Sequence, residues 1–184
     1  MGYSCILGRI IKAGERSNEI TGHAVRAMYL YTGAADVAAH TGDNGYMTAM
    51  QKVWEDVVYR NMYITGGIGS AGDNEGFTKD YDLPNEDAYC ETCASVGMVL
   101  WNQRMCQLTG DSKYIDVLER SLYNGALDGL SLSGDHFFMT MCLHQMVSIS
   151  EGNGLERLAA RQTLQDWSLP LVIIFMEKVM MVFG

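Results

Sequence analysis

The chain has 184 residues, of which 48% are hydrophobic and 19% charged, and its formal net charge is −9. This length can bury one sizeable core, and the composition is ordinary for globular proteins, which excludes a disordered chain, a collagen-like chain and a disulfide miniprotein. The 13 lysines and arginines form no cluster, which argues against a nucleic-acid partner because such a surface needs concentrated positive charge.

Amphipathic helices are predicted wherever apolar residues recur with a period near 3.6. In chain order the predicted helices cover residues 22–31, 46–60, 93–108 and 112–127. Trp54 and Trp101 lie on apolar faces, so we expect both in the core. Residues 130–141 alternate less cleanly and contain a Ser-Gly-Asp turn, which predicts a short β-hairpin. The predicted fold class is therefore all-α, built from helical hairpins with one long loop and one short β-hairpin.

A short Thr-Gly-Asp sequence recurs where one predicted helix ends and the next begins. It occurs at residues 41–43 and 109–111, with a looser third copy in residues 32–36. The glycine can adopt the left-handed conformation that ends a helix, and the aspartate can accept hydrogen bonds from the free N–H groups of the next helix. The repeat therefore predicts a tight connection between helices at all three places.

One long loop, from about residue 63 to residue 89, interrupts the helices. An unusually dense group of acidic residues lies in and just after it: Asp73, Glu75, Asp80, Asp82, Glu86, Asp87 and Glu91. Loops of this length are uncommon unless they are functional or disordered, and apolar residues such as Tyr63 and Phe77 argue against disorder. Its glycines lack the preceding strand and the Gly-Lys-Ser/Thr sequence of a phosphate-binding loop. We expect an ordered loop that carries a site, with a solvated acidic loop as the alternative.

The cysteines and the apolar segments indicate the cellular compartment in which the protein is expected. Five cysteines at irregular spacing do not indicate a secreted disulfide framework, and no signal peptide is visible. The longest apolar run, residues 169–183, is interrupted by Pro170 and Glu177 and is too short to span a membrane comfortably. We therefore expect a cytoplasmic protein that has no membrane partner.

Glu75 is the first candidate for chemistry, because it lies in a glycine-flanked part of the loop beside Phe77. A carboxylate next to an aromatic ring in a partly dry loop can have a raised pKa, which suits a general acid. The alternative is an ordinary acidic residue on the surface of the loop.

The segment from Cys90 to Cys93 is the second candidate, because thiolate and carboxylate both bind zinc and Glu91 lies between the cysteines. Buried thiols without a metal and a redox pair are the alternatives. Glu91 and Cys93 would point apart on a regular helix, so joint ligation requires them at or just before a helix start. His23, at the start of the first predicted helix, is either a capping or packing residue or a ligand.

Several motifs occur together in a fixed order: residues 22–31 (GHAVRAMYLY), 63–69 (YITGGIG), 75–77 (EGF), 81–85 (YDLPN), 89–94 (YCETCA) and 122–125 (LYNG). In this combination the chain resembles glycoside hydrolase family 127, the bacterial β-L-arabinofuranosidases, over about residues 20–138. The resemblance implies an (α/α)₆ barrel, of which the helical hairpins would form a part. It also implies hydrolysis of terminal β-L-arabinofuranosyl groups of arabinose-containing oligosaccharides, with retention of configuration.

The resemblance further implies roles for particular residues. Glu75 matches the acid/base glutamate of the family, and His23 matches a histidine that contacts the sugar. Glu91 and Cys93 match two ligands of a zinc ion, which would hold a cysteine nucleophile as its thiolate in place of the usual second carboxylate. Glu75 would protonate the leaving oxygen and then activate water.

The chain departs from the family pattern after the long loop. It has no adjacent pair of cysteines to complete the zinc site and supply the nucleophile; Cys142 does not match, and Met139 stands where the family has a sugar-contacting tyrosine. We therefore expect residues 1–142 to be a partial barrel domain from an internal fragment that is inactive alone, and residues 143–184 to be a divergent tail. An exposed half-barrel surface predicts self-association into a homo-oligomer. The alternative function is a non-catalytic helical interaction module or a degraded relative.

Overall fold

The computed structural model describes residues 19–131 and 138–140 of the chain. The regular elements in these ranges are β1 (Gly22–His23), α1 (Ala24–Thr41), α2 (Asn44–Arg60), β2 (Gly76–Phe77), α3 (Thr92–Thr109) and α4 (Lys113–Ser121), followed by a π-helical turn (Leu122–Ala126). The predicted helical character is confirmed. No helix in the described ranges combines the length and the apolar character needed to cross a bilayer.

Two of the three predicted helix connections are confirmed. Gly42 and Gly110 have left-handed backbone with φ of 66° and 71°, and their N–H groups donate to the carbonyls of the preceding helices. Asp43 Oδ1 then accepts from the Gly45 N–H at 2.8 Å, and Asp111 Oδ1 accepts from the Lys113 N–H at 3.0 Å. The repeat thus joins α1 to α2 and α3 to α4.

The third predicted connection, at residues 32–36, is wrong. Helix α1 continues through Gly33 and ends at Thr41. The reason is that the following alanines, Ala34 and Ala35, are fully buried against the core, so packing and their high helix propensity outweigh the cost of one helical glycine.

The core lies around α3, which packs against α1 on one side and α4 on another, and α2 adds buried residues from its place beside α1. Trp54 and Trp101 are both buried, as predicted, and the Trp54 Nε1–H donates to Asn102 Oδ1 at 2.7 Å. Helices α1 and α3 approach closely at Gly97, because a Cβ atom there would lie 2.6 Å from the Met28 Cβ. This approach fixes the starts of the two helices beside each other.

The described residues contain β structure that the sequence did not predict. The β-hairpin predicted for residues 130–141 lies mostly outside the described residues, although the Phe138 N–H donates to the Gly129 carbonyl at 2.7 Å. The described sheet instead pairs β1 with β2 in antiparallel register, with Gly22 opposite Phe77 and His23 opposite Gly76. This pairing brings the long loop onto the start of α1.

Candidate functional site

The long loop is ordered, as predicted. Hydrogen bonds hold its first turn together and attach it to the end of α4. The Tyr63 N–H donates to the Gly67 carbonyl at 2.9 Å, and Ser121 Oγ donates to the Gly66 carbonyl at 3.0 Å. Gly66 has φ of 92°, and a Cβ atom there would lie 2.9 Å from the Ser121 backbone nitrogen. Only glycine therefore allows the loop to pack this closely.

Glu75 is positioned by backbone contacts at the start of α1. It has left-handed backbone with φ of 51°, and its carbonyl accepts from the Ala24 N–H at 3.0 Å. The next residue, Gly76, faces His23 so closely that a Cβ atom would lie 2.9 Å from the His23 Cα. The β1–β2 pair thus places the side chains of Glu75 and His23 side by side.

The Glu75 carboxylate is contacted on both of its oxygens. His23 Nε2 lies 2.9 Å from Glu75 Oε2, and the Tyr89 hydroxyl donates to Glu75 Oε1 at 3.1 Å. The Glu75 side chain is 43% exposed, so it keeps access to solvent. Tyr89 was not a candidate in the sequence analysis, although the motif at residues 89–94 contains it. The orientation of the Tyr89 ring depends on the path of the loop, and the spacing of residues in the sequence does not predict that path.

Glu91 is a buried acid beside this pair. It is 6% exposed, it directly precedes the first turn of α3, and its backbone is extended with φ of −61° and ψ of 133°. Burial raises the pKa of Glu91, a hydrogen bond with the Cys93 side chain lowers it, and the Glu75 charge raises it. Glu91 and Cys93 therefore lie at a helix start, which is the place that joint ligation would require.

The two cysteines of the motif have different surroundings. Cys90 has φ of 40°, and its Sγ packs near Gly67, where a Cβ atom would lie 3.3 Å away. Burial raises the pKa of Cys90 to about 12. A thiol that stays protonated near neutral pH is a poor redox nucleophile, so the burial of Cys90 does not favour the redox interpretation.

A cation could bind where these acids meet. Ligand atoms of His23, Glu75 and Glu91 all lie within 4.8 Å of one another, and in the described part of the chain Glu91 Oε2 is a buried atom without a hydrogen-bond partner. Such an orphaned carboxylate oxygen is costly unless a proton or a metal satisfies it. The donor set of His23, Glu75 and Glu91 therefore fits a metal. The structure does not place Cys93 in this group, although its side chain hydrogen-bonds with Glu91.

A further segment of backbone lies against Glu91. The Thr92 N–H donates to the Met139 carbonyl at 2.8 Å, and Glu91 forms a single β-bridge with Thr140. Residues 138–140 therefore lie along one side of the site. Met139 stands here in place of the tyrosine implied by the resemblance.

The chain is similar to known proteins. Residues 9–162 match the family described as "Beta-L-arabinofuranosidase, GH127 catalytic domain". A non-reducing end β-L-arabinofuranosidase of Bifidobacterium longum subsp. longum is 47% identical over 122 residues, which are 66% of this chain and 18% of that protein.

Solved structures give the same result. A GH127 β-L-arabinofuranosidase from Geobacillus stearothermophilus T6 matches with a TM-score of 0.67 and 50% identity, over 69% of this chain and 20% of that one. The GH127 β-arabinofuranosidase BT3674 matches with a TM-score of 0.66 and 54% identity, over 68% and 20% respectively. The chain thus spans about a fifth of the length of these relatives.

Proposed function

This chain belongs to the GH127 family of β-L-arabinofuranosidase catalytic domains, and we propose that it carries part of the site of a glycoside hydrolase. The proposed substrates are arabinose-containing oligosaccharides with terminal β-L-arabinofuranosyl groups. The observation that supports this most is the Glu75 carboxylate, which is contacted by His23 and Tyr89 and lies beside the buried Glu91.

Glu75 is the proposed acid/base residue. It is partly exposed, so a sugar can reach it, and its two hydrogen-bond partners hold the carboxylate in one orientation. As the acid, Glu75 gives a proton to the oxygen of the leaving alcohol; as the base, it later takes a proton from the attacking water. His23, whose Nε2 lies 2.9 Å from the Glu75 carboxylate, is the proposed sugar contact.

Glu91 and Cys93 are the proposed zinc ligands. The unpartnered Glu91 Oε2 and the Glu91–Cys93 contact support this assignment. When bound, zinc would supply a positive charge that keeps a nearby thiol deprotonated. No cysteine among the described residues is assigned as the nucleophile, so the chemistry derived for this chain is the acid/base part alone.

We also propose that the four helices are part of an (α/α)₆ barrel and that the protein is cytoplasmic. The packing of α1 against α2 and α3, and of α3 against α4, supports the barrel. Five cysteines at irregular spacing suit a reducing compartment. Because only two zinc ligands and no nucleophile are assigned, we expect the chain to bind zinc weakly and to be inactive alone.

The experiment is hydrolysis of 4-nitrophenyl β-L-arabinofuranoside, with and without Zn²⁺ in large excess to fill a weak site. Any hydrolysis is expected only with zinc, and its rate should fall at least about 100-fold in Glu75→Gln, since acid/base catalysis contributes 10²–10⁴-fold. Glu86→Gln is the matched control, because it removes an exposed carboxylate of the same loop. If Glu75→Gln retains the wild-type rate, or if zinc gives no hydrolysis at all, the alternative of a non-catalytic helical module is favoured.

A further inference from the structure

Tyr89 has a fixed place in the loop. Its N–H donates to the Ser70 carbonyl at 3.3 Å, and the next residue, Cys90, donates from its N–H to the Gly69 carbonyl at 2.9 Å. The ring lies over Gly72, where a Cβ atom would be 3.4 Å from the Tyr89 Cδ2. The returning end of the loop therefore presents this ring to the turn that carries Glu75.

The Tyr89 hydroxyl meets one oxygen of Glu75, while His23 meets the other. The phenol is the donor of its contact, because a carboxylate oxygen accepts hydrogen bonds and the Tyr89 hydroxyl lies 3.1 Å from it. Each carboxylate oxygen has two lone pairs, so either oxygen can still meet a substrate while it keeps its contact.

From these contacts we propose that Tyr89 is a positioning residue, which holds the Glu75 carboxylate in the orientation needed for proton transfer to the glycosidic oxygen. This inference rests on the proposed function. A half-exposed carboxylate on a left-handed turn could otherwise rotate into solvent, because the backbone alone does not fix its side-chain torsions. Misplacing a catalytic group by about 1 Å can cost on the order of 100-fold in rate.

The chain offers a matched control in Tyr63. Its hydroxyl donates to the Pro84 carbonyl at 3.1 Å, the same distance as the contact of Tyr89 with Glu75, and it lies in the same loop. Tyr63→Phe therefore removes a comparable loop hydrogen bond that does not involve Glu75. Tyr89→Phe removes the hydroxyl that contacts Glu75.

The first measurement needs no activity. The chain is labelled with 3-fluorotyrosine, and the ¹⁹F signals of residues 89 and 63 are assigned from the two phenylalanine variants. Glu75→Gln replaces a charged acceptor by a neutral one, which weakens the hydrogen bond from the phenol. We expect the signal of residue 89 to shift and that of residue 63 to stay in place. An unmoved residue-89 signal would overturn the proposal, whatever the chain hydrolyses.

The second measurement separates positioning from a merely structural role. With zinc in excess, kcat is compared for an alkyl β-L-arabinofuranoside, whose leaving group needs a proton, and for a 2,4-dinitrophenyl β-L-arabinofuranoside, whose leaving group does not. For Tyr89→Phe we expect about a tenfold fall in kcat with the alkyl substrate and less than about twofold with the activated one. Tyr63→Phe is expected to change the two rates equally, if at all.

The outcomes are distinguishable. An equal loss on both substrates in Tyr89→Phe would overturn the positioning role and make Tyr89 a structural residue. A shifted ¹⁹F signal together with no hydrolysis by any form would contradict the proposed function, and with it the catalytic role of Tyr89, while the contact itself would stand.

Discussion

At the scale of single residues, the long loop and the residue that follows it include three non-glycine residues with left-handed backbone: Glu75, Tyr81 and Cys90. This conformation costs roughly 1–2 kcal/mol for an L-residue, so it persists only where the surroundings enforce it. For Glu75 the enforcing contacts are the β1–β2 pair and the hydrogen bond from the Ala24 N–H. The strain lies at the residue to which the chemistry is assigned.

This strain predicts a difference between two truncations of Glu75. Glu75→Ala and Glu75→Gly both remove the contacts with His23 and Tyr89, but only glycine relieves the left-handed backbone. We expect Glu75→Gly to be more stable than Glu75→Ala by about 1 kcal/mol. Equal free energies of unfolding in urea would show that residue 75 is not strained.

The buried Cys90 thiol predicts a dependence of stability on pH. Its pKa is 9.0 in a model peptide and about 12 in the fold, so between these values the unfolded state loses a proton that the folded state keeps. The free energy of unfolding therefore falls as pH rises above 9, by at most about 1.4 kcal/mol per pH unit from this group. Cys90→Ala should flatten that slope between pH 9 and 10. An unchanged slope would contradict the assigned burial of the thiol.

Zinc affinity should depend on one cysteine of the motif and not on the other. Cys93 contacts the Glu91 carboxylate, whereas Cys90 packs near Gly67. We expect Cys93→Ser to weaken Zn²⁺ binding at least about tenfold, since thiolate is the preferred zinc ligand, and Cys90→Ser to leave it unchanged. Competition with a chromophoric chelator measures both. Equal loss in the two variants would mean that the wrong thiol is assigned.

Sequence reasoning identified Glu75, His23, Glu91 and Cys93, and the structure brings ligand atoms of the first three together, with Cys93 joined through Glu91. Their roles stay predictions. Sequence reasoning missed Tyr89. Its hydrogen bond with Glu75 joins residues fourteen positions apart and depends on how the loop turns back. Local chemistry finds candidate groups, but the path of an irregular loop decides which of them meet.

At the scale of elements, short-range rules predicted the helix ends at Gly42 and Gly110 but did not predict the strands. Gly42 and Gly110 end their helices as predicted because the rule depends on one glycine and its neighbours. Strands β1 and β2 have two residues each, too few for an alternating pattern, and they pair across more than fifty positions. The π-helical turn that continues α4 over Leu122–Ala126 likewise has no signature in hydrophobic periodicity.

Two of the helical glycines, Gly97 and Gly33, provide a matched test of packing. Gly97 lies where α3 approaches Met28, whereas a Cβ atom at Gly33 of α1 would meet nothing within 4 Å. We expect Gly97→Ala to destabilise the fold by roughly 1–3 kcal/mol, because the helices must separate. Gly33→Ala should stabilise it by about 0.5–1 kcal/mol, since alanine restricts the unfolded chain. A stabilising Gly97→Ala would contradict the close approach of α1 and α3.

At the scale of the whole molecule, two distant parts of the chain must come together to form the site. His23 lies at the start of α1, and Glu91 and Cys93 lie at the start of α3. The long loop between these helices supplies Glu75 and Tyr89. The packing of α1 against α3 therefore determines whether the pocket exists. Self-association through an exposed barrel surface stays a prediction, which light scattering can measure.

The central claim is that His23, Glu75, Glu91 and Cys93 line one pocket for an L-arabinofuranosyl group. The most direct measurement is an NMR titration of the ¹⁵N-labelled chain with methyl 1-thio-β-L-arabinofuranoside, which binds without being readily hydrolysed. We predict that the largest amide shifts occur at these four residues and at Tyr89. Saturable shifts centred elsewhere, for example around the exposed Tyr59 and Ile64, would contradict the account.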